Sequence, residues 1–191
     1  MVFDSTLTAI RALAPLARVA SAINGWVYQH DRDLTGFIDG TENPSILEAP
    51  AVAAGPDGTS VVLVQQWRHL PSWEELPVAD QERVIGRTKE DSTELADDVM
   101  PADSHVSRTV VEEEGEELKI YRRNTAYGDA NDHGTMFVAF CATQRPLALM
   151  LDRMAGHGDG IRDVLTRHAV ALTGAYYVAP SAEALLELLD G

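Results

Sequence analysis

The chain has 191 residues, enough for one well-buried domain or for one domain plus a fragment. Apolar residues make up 45% and charged residues 24%, the balance of a soluble globular protein. Fifteen Lys and Arg stand against thirty Asp and Glu, a net charge of -15. That excludes the basic footprint a nucleic-acid or anionic-membrane partner needs. The single cysteine, Cys141, excludes an internal disulfide and a cysteine-based zinc site.

In chain order, Leu7, Ile10, Leu13, Leu16, Ala17 and Ala20 recur at helical spacing and predict an amphipathic helix over 6–22. No basic n-region precedes it and Asp4, Arg11 and Arg18 interrupt it, so it does not read as a signal peptide. No apolar run reaches the roughly 20 residues of a membrane span, and no addressing tail is expected at Leu188-Leu189-Asp190-Gly191. The expected location is cytoplasmic.

A short strand is predicted over 26–30. A polar segment rich in Gly, Pro, Asn and Asp follows over 31–58, a length that marks a functional loop or a linker. The β-branched run 59–67 reads as a buried strand, 77–87 as a helix, and the residues up to Ser104 as a polar loop. A hairpin is expected from strands 105–112 and 116–124 around Glu113, Glu114 and Gly115. The apolar run 134–142 predicts a strand, 145–154 and 160–168 predict helices, 173–179 a strand, and 181–189 a closing helix capped by Ser181. The main elements run strand, helix, strand, strand, helix, strand. This order predicts an α+β fold, a ferredoxin-like split β-α-β antiparallel sheet with helices on one face. Residues 56–191 would form it, with 1–55 a partial second domain.

Three segments stand out chemically. In GFIDGTENP (36–44), Asp39 followed by Gly40 and Thr41 describes either a loop holding a carboxylate in a fixed direction or a plain Asp-Gly turn. In PADSHVSR (101–108), His105 is either a metal ligand or an ordinary histidine at a strand start. In LKIYRRNT (118–125), Arg122 and Asn124 lie two apart and share a sheet face above Ile120. They form either a polar ligand site or part of a salt-bridged surface strand. The remaining histidines have no metal-like spacing, and Cys141 reads as a small buried apolar residue.

Together and in this order, these segments resemble the dye-decolorizing peroxidase family. GFIDGTENP is similar to its distal loop with the GxxDG signature, VIGRTKEDSTELADDVMPADSHVSR to its approach to the proximal histidine, and LKIYRRN to its distal arginine strand. HGTMFVAFCATQRPLALMLDRM and LTGAYYVAPS are similar to its C-terminal core and closing strand. The resemblance runs from about Asp31 to the end.

It implies a haem peroxidase that reduces hydrogen peroxide and oxidises dyes, phenols or similar one-electron donors, with one haem b per chain. His105 would be the proximal iron ligand. Asp39, Gly40, Thr41 and Arg122 would contact the distal side, with Asp39, Arg122 and Asn124 carrying the peroxide chemistry. A carboxylate on His105 Nδ1 would raise its basicity; Asp163 is preferred over Asp159 because it falls inside a predicted helix. Trp26, Trp67, Trp73, Tyr121, Tyr127, Tyr176 and Tyr177 read as packing residues, with electron relay as their alternative use.

Family members look like two ferredoxin-like domains in one chain. Here residues 1–55 would be the remnant of the first plus the distal loop, and 56–191 the haem-binding domain. The uncovered surface would then drive homo-oligomerisation or recruit a partner. The competing function is a haem carrier, or an impaired subunit that needs a partner.

Overall fold

A computed structural model of the chain describes residues 2–190. Met1 and Gly191, the outer bounds of the two expected segments, lie outside the described residues. The N-terminal helix, α1 (Val2–Leu13), starts earlier and ends sooner than its apolar spacing predicts. Pro15 is the reason: its ring disfavours helical backbone in the residue before it. Strand β1 (Gly25–Trp26) is only two residues long. The chain then turns sharply through His30 and Asp31, both at positive φ. Inside the long polar segment lies a helix the sequence reading missed, α2 (Ala49–Ala53). A signal stood just upstream, in the turn that leads into it: Ser45 N–H donates to Glu48, and Glu48 N–H donates back to Ser45 Oγ.

From there the expected order holds, with β2 (Ser60–His69) and α3 (Val78–Ile85). Where a strand was expected over 105–112, the chain instead forms a short helix, α4 (His105–Thr109). Val106, Thr109, Val110 and Val111 suggest a strand by propensity. Ser104 overrides them, because its side chain accepts the Ser107 N–H and caps the helix. The expected hairpin survives only as β3 (Glu112–Glu113) and β4 (Glu116–Glu117), a separate two-stranded sheet turning at Glu114 and Gly115.

Next come β5 (Tyr121–Gly128), β6 (His133–Cys141) and α5 (Arg145–Ala155). Residues 160–163 are not helical; only Val164–Arg167 forms a 3-10 turn, because Gly156, Gly158 and Gly160 all take positive φ. The chain closes with β7 (Ala169–Ala179) and α6 (Ala182–Asp190), and Ser181 Oγ accepts the Ala184 N–H. No described helix is long and apolar enough to cross a membrane.

The main sheet has the order β1-β5-β6-β2-β7, all neighbours antiparallel. Without the short β1, this is the ferredoxin-like arrangement, with the first and third strands of the split motif in the centre. Register puts Gln65 opposite Phe137 and Phe137 opposite Asn124, with Arg122 opposite Ala139 and Ala139 opposite Leu63. These side chains share one face. At one end of it Leu63, Ala139, Cys141 and Leu147 pack with Val61, Ile120, Phe137 and Leu151, joining the sheet to α5. Fully burying Leu63 or Leu147 stabilises the domain by about 2 kcal/mol each. A second cluster, Phe37, Trp73, Val84 and Ile85, ties the polar loop to α3. Between the clusters the sheet face is polar and a cavity remains.

Edge strand β7 exposes Val170, Leu172, Tyr176, Tyr177 and Val178, and α1 buries no residue.

Candidate functional site

Two adjoining cavities of about 100 and 110 Å³ lie between the sheet face, α4, α5 and the loop 33–42. Both are lined by Asp33, Thr35, His105, Arg122 and Asn124. His105, at the first position of α4, places Nδ1 2.7 Å from Asp163 Oδ2. Asp163 is fully buried and caps the 3-10 turn, its Oδ1 accepting the Leu165 N–H at 2.9 Å. A buried carboxylate beside Nδ1 holds the ring proton there, which leaves the Nε2 lone pair free. Asp163 therefore meets His105 from a cap position, not from inside a helix. Asp159 is occupied elsewhere, in a two-pronged pair with Arg108 at 2.8 and 3.1 Å.

Three contacts hold α4 in place. Arg108 donates to the Arg153 carbonyl, and Arg153 donates to the Ser107 and Val110 carbonyls, clamping α4 to α5. Gly86 ends α3 at φ +92°, and a Cβ there would come within 3.0 Å of Ser104 Oγ and Val106 Cβ. Only glycine lets α3 approach α4 this closely.

Opposite, the loop bends so that Asp39 reaches β5. Asn124 N–H donates to Asp39 Oδ2 and Asn124 Nδ2 to Oδ1, both at 2.9 Å. Arg123 Nη1 stands 3.6 Å from Oδ2. Asn43 clamps the same loop through the backbone N–H and carbonyl of Arg122. Gly40 turns it at φ +78°, and Gly40 and Thr41 line the cavity with Asp39.

Arg122 points its guanidinium into both cavities and forms no side-chain hydrogen bond with any described residue. Burial lowers its pKa; Asp39, Glu42 and Asp33 oppose that shift and Arg87 adds to it. The site thus brings together every residue singled out in the sequence: His105 and Asp163 on one side, Asp39, Gly40, Thr41, Arg122 and Asn124 on the other.

Sequence reading missed Asp33 and Thr35. Asp33 Oδ1 accepts both the N–H (2.8 Å) and the hydroxyl of Thr35. Burial raises its carboxyl pKa; the Thr35 bonds oppose this, Asp39 adds to it, and His105 opposes it. The Asp-x-Thr spacing of an Asx turn was the available signal. Arg87, joined to Glu42 and Glu94, also lines the cavity.

The fold and this pocket define a ferredoxin-like α+β domain built around a histidine–carboxylate pair facing an arginine in the cavity wall. A family model described as the Dyp-type peroxidase C-terminal domain matches residues 30–184, and the chain belongs to that family. The dye-decolorizing peroxidase of Rhodococcus erythropolis is 39% identical over 96% of this chain and 57% of its own length. That of Mycolicibacterium paratuberculosis is 38% identical over 92% of this chain and 53% of its own length. The chain thus spans a little over half of these curated relatives. Among solved structures, a dye-decolorizing protein from V. cholerae superposes with a TM-score of 0.90 and 43% identity, covering 97% of this chain and 64% of that one. A DypB variant from Rhodococcus jostii, in complex with heme, gives 0.90 and 36%, covering 96% and 63%.

Proposed function

We propose that this chain binds haem b, one per chain, and supports peroxide reduction coupled to oxidation of a dye, phenol or similar donor. The observation that carries the reading is the pairing of His105 Nδ1 with buried Asp163 across a cavity from an Arg122 guanidinium without a protein partner. A cation that lines a cavity with no hydrogen-bond partner for its side chain among the described residues suits an anionic or strongly polar guest. A histidine whose other nitrogen is held by a carboxylate suits a metal ligand.

Haem, when bound, supplies the redox-active iron that takes up oxidising equivalents from peroxide. His105 Nε2 would ligate the iron, with Asp163 holding the ring and raising its basicity through Nδ1. Met150, Leu165 and Phe137 provide apolar wall. Asp39, Gly40, Thr41 and Arg122 line the cavity and would contact the group on the side away from His105. Peroxide must lose a proton from one oxygen and gain one on the other before its O–O bond breaks. The Asp39 carboxylate, fixed in direction by Asn124, moves that proton. Arg122 stabilises negative charge developing on the departing oxygen and cannot compete as a base.

In this reading residues 56–191 carry the haem site, residues 1–55 contribute the distal loop, and the exposed apolar surface of β7 and α1 is covered by a second copy or a partner. One neighbour of known structure is an encapsulated DyP-type peroxidase from Mycobacterium smegmatis. The test is to load the chain with haem and add peroxide with and without guaiacol. A rapid spectral change followed by guaiacol turnover is expected. Bleaching without turnover would replace the enzyme with a haem carrier.

A further inference from the structure

Two links, not one, join α4 to the segment that carries Asp163. His105 meets Asp163 at the first position of the helix. About one turn further along α4, Arg108 meets Asp159. Both carboxylates come from residues 156–163, between α5 and the 3-10 turn. This segment has little stiffness of its own. Gly156, Gly158 and Gly160 all take positive φ, and a Cβ at Gly158 or Gly160 would meet nothing within 4 Å. Its ends are pinned by the backbone: Asp163 N–H donates to the Met154 carbonyl at 3.0 Å and Val164 N–H to the Asp103 carbonyl at 2.9 Å. Among the described residues, the Arg108–Asp159 pair is the only polar tie from residues 156–162 to α4.

The pair is a buried cation with a single counterion. Arg108 is 3% exposed, and two of its nitrogens share the Arg153 carbonyl. Arg153 brings a second cation to the same place, donating to the Ser107 and Val110 carbonyls. Asp159 is the sole carboxylate paired with either guanidinium among the described residues. Its Oδ1 also accepts the Ile161 N–H at 2.9 Å, so one side chain both shapes the loop and anchors it. The Ile161 bond first, and the Arg108 bond second, lower its carboxyl pKa and keep it ionised at neutral pH.

We propose that Arg108 and Asp159 are positioning residues for the His105–Asp163 pair. Their ion pair holds the loop against α4, so that Asp163 takes the Nδ1–H at 2.7 Å. It also cancels the Arg108 charge, so that the charge of Asp163 acts on the imidazole unopposed. The effect on iron rests on the haem reading above; the effect on the ring does not. Removing the Asp159 charge loosens the Nδ1–H bond and leaves an unbalanced cation one turn from the histidine. Both changes lower the electron density that the ring can donate, and both favour ferrous over ferric iron.

Asp159→Asn keeps the shape of the side chain and an acceptor for the Ile161 N–H. In the haem-free chain, exchange of the His105 Nδ1–H with water is followed by proton NMR. In the haem-loaded chain, the ferric–ferrous equilibrium is read by spectroelectrochemistry. Asp159→Asn should exchange this proton at least tenfold faster than wild type. It should also shift the equilibrium at least tenfold toward ferrous iron, about 59 mV for a one-electron couple. Asp132→Asn removes the same charge from the exposed Arg68 pair and should change neither value. An ion pair that only stabilises the fold would lower the melting temperature and leave both values alone. Either value at wild type in Asp159→Asn, or an equal shift in Asp132→Asn, overturns the proposal. A chain that takes up no haem overturns the haem reading instead, and the exchange rates alone then decide the positioning role.

Discussion

Replacing Asp163 with Asn tests the support of His105 with almost no change in shape. Asp163 accepts two bonds, His105 Nδ1–H at 2.7 Å and Leu165 N–H at 2.9 Å. An Asn carbonyl at the Oδ1 position keeps the second. Its amide then faces Nδ1 with N–H groups, so the imidazole must move its proton to Nε2 or leave the contact. The lost charge-assisted bond was contributing about 1.5–3 kcal/mol. At roughly 2–4 °C per kcal/mol for a domain of this size, melting should fall by about 3–12 °C. A histidine protonated at Nε2 cannot bind iron there, so haem affinity should drop about 10- to 100-fold. Differential scanning calorimetry of the haem-free chain and an absorbance titration with haem measure the two effects. Asp163→Ala should cost about 1–3 kcal/mol more, because Leu165 N–H is then orphaned as well. If Asp163→Asn matches wild type in both melting and haem affinity, the argument that this carboxylate sets the histidine tautomer fails.

Other consequences follow from the same geometry. Arg122→Leu should slow the peroxide-induced spectral change about 100- to 1000-fold in stopped flow; Asn124→Ala should slow it less, since Asp39 keeps the backbone N–H of residue 124 at 2.9 Å. Equal rates for the two variants would contradict this ranking. Gly86→Ala should cost about 1–2 kcal/mol in urea unfolding and weaken haem binding, because the new methyl group displaces α4; wild-type values for both would show that α3 does not position His105. His69 is pushed down to about 4 by burial, with His133 adding to the shift. Between about 6.5 and 4 the unfolded chain binds a proton at this residue that the folded chain does not. His69 therefore costs nothing at pH 7 and lowers stability progressively as pH falls, by about 3 kcal/mol at pH 4. Urea melts at pH 7 and pH 5 should show a smaller loss for His69→Gln than for wild type, and parallel losses would refute the assignment.

The sheet was legible because its strands are buried runs with clear turn boundaries. Residues 59–67 and 134–142 are apolar enough that propensity and tertiary demand agree. Where the two diverge, the reading failed. Four β-branched residues suggested a strand at 105–112, and one serine hydroxyl on the Ser107 N–H made a helix instead. This changed the geometry of the site without changing its residues: His105 enters the pocket from a helix start. Asp163 was chosen for a helix that does not exist, and it reaches His105 because it caps a 3-10 turn after three left-handed glycines. Arg122 and Asn124 were placed correctly because period-two alternation on β5 is a local property. Asp33 and Thr35 went unnoticed since their contacts with the cavity arise from chain folding over a polar loop, where neither period applies. The boundary of the polar loop against α2 was missed although the Ser45–Glu48 pair marked it.

The central claim is that His105 holds haem in the pocket it shares with Arg122. Absorbance titration of the chain with haem, for wild type and His105→Ala, tests it most directly. A Soret band saturating at one haem per chain in wild type, and absent in a folded His105→Ala, is the predicted result. A folded His105→Ala that gives the wild-type Soret band at the same stoichiometry would contradict the claim.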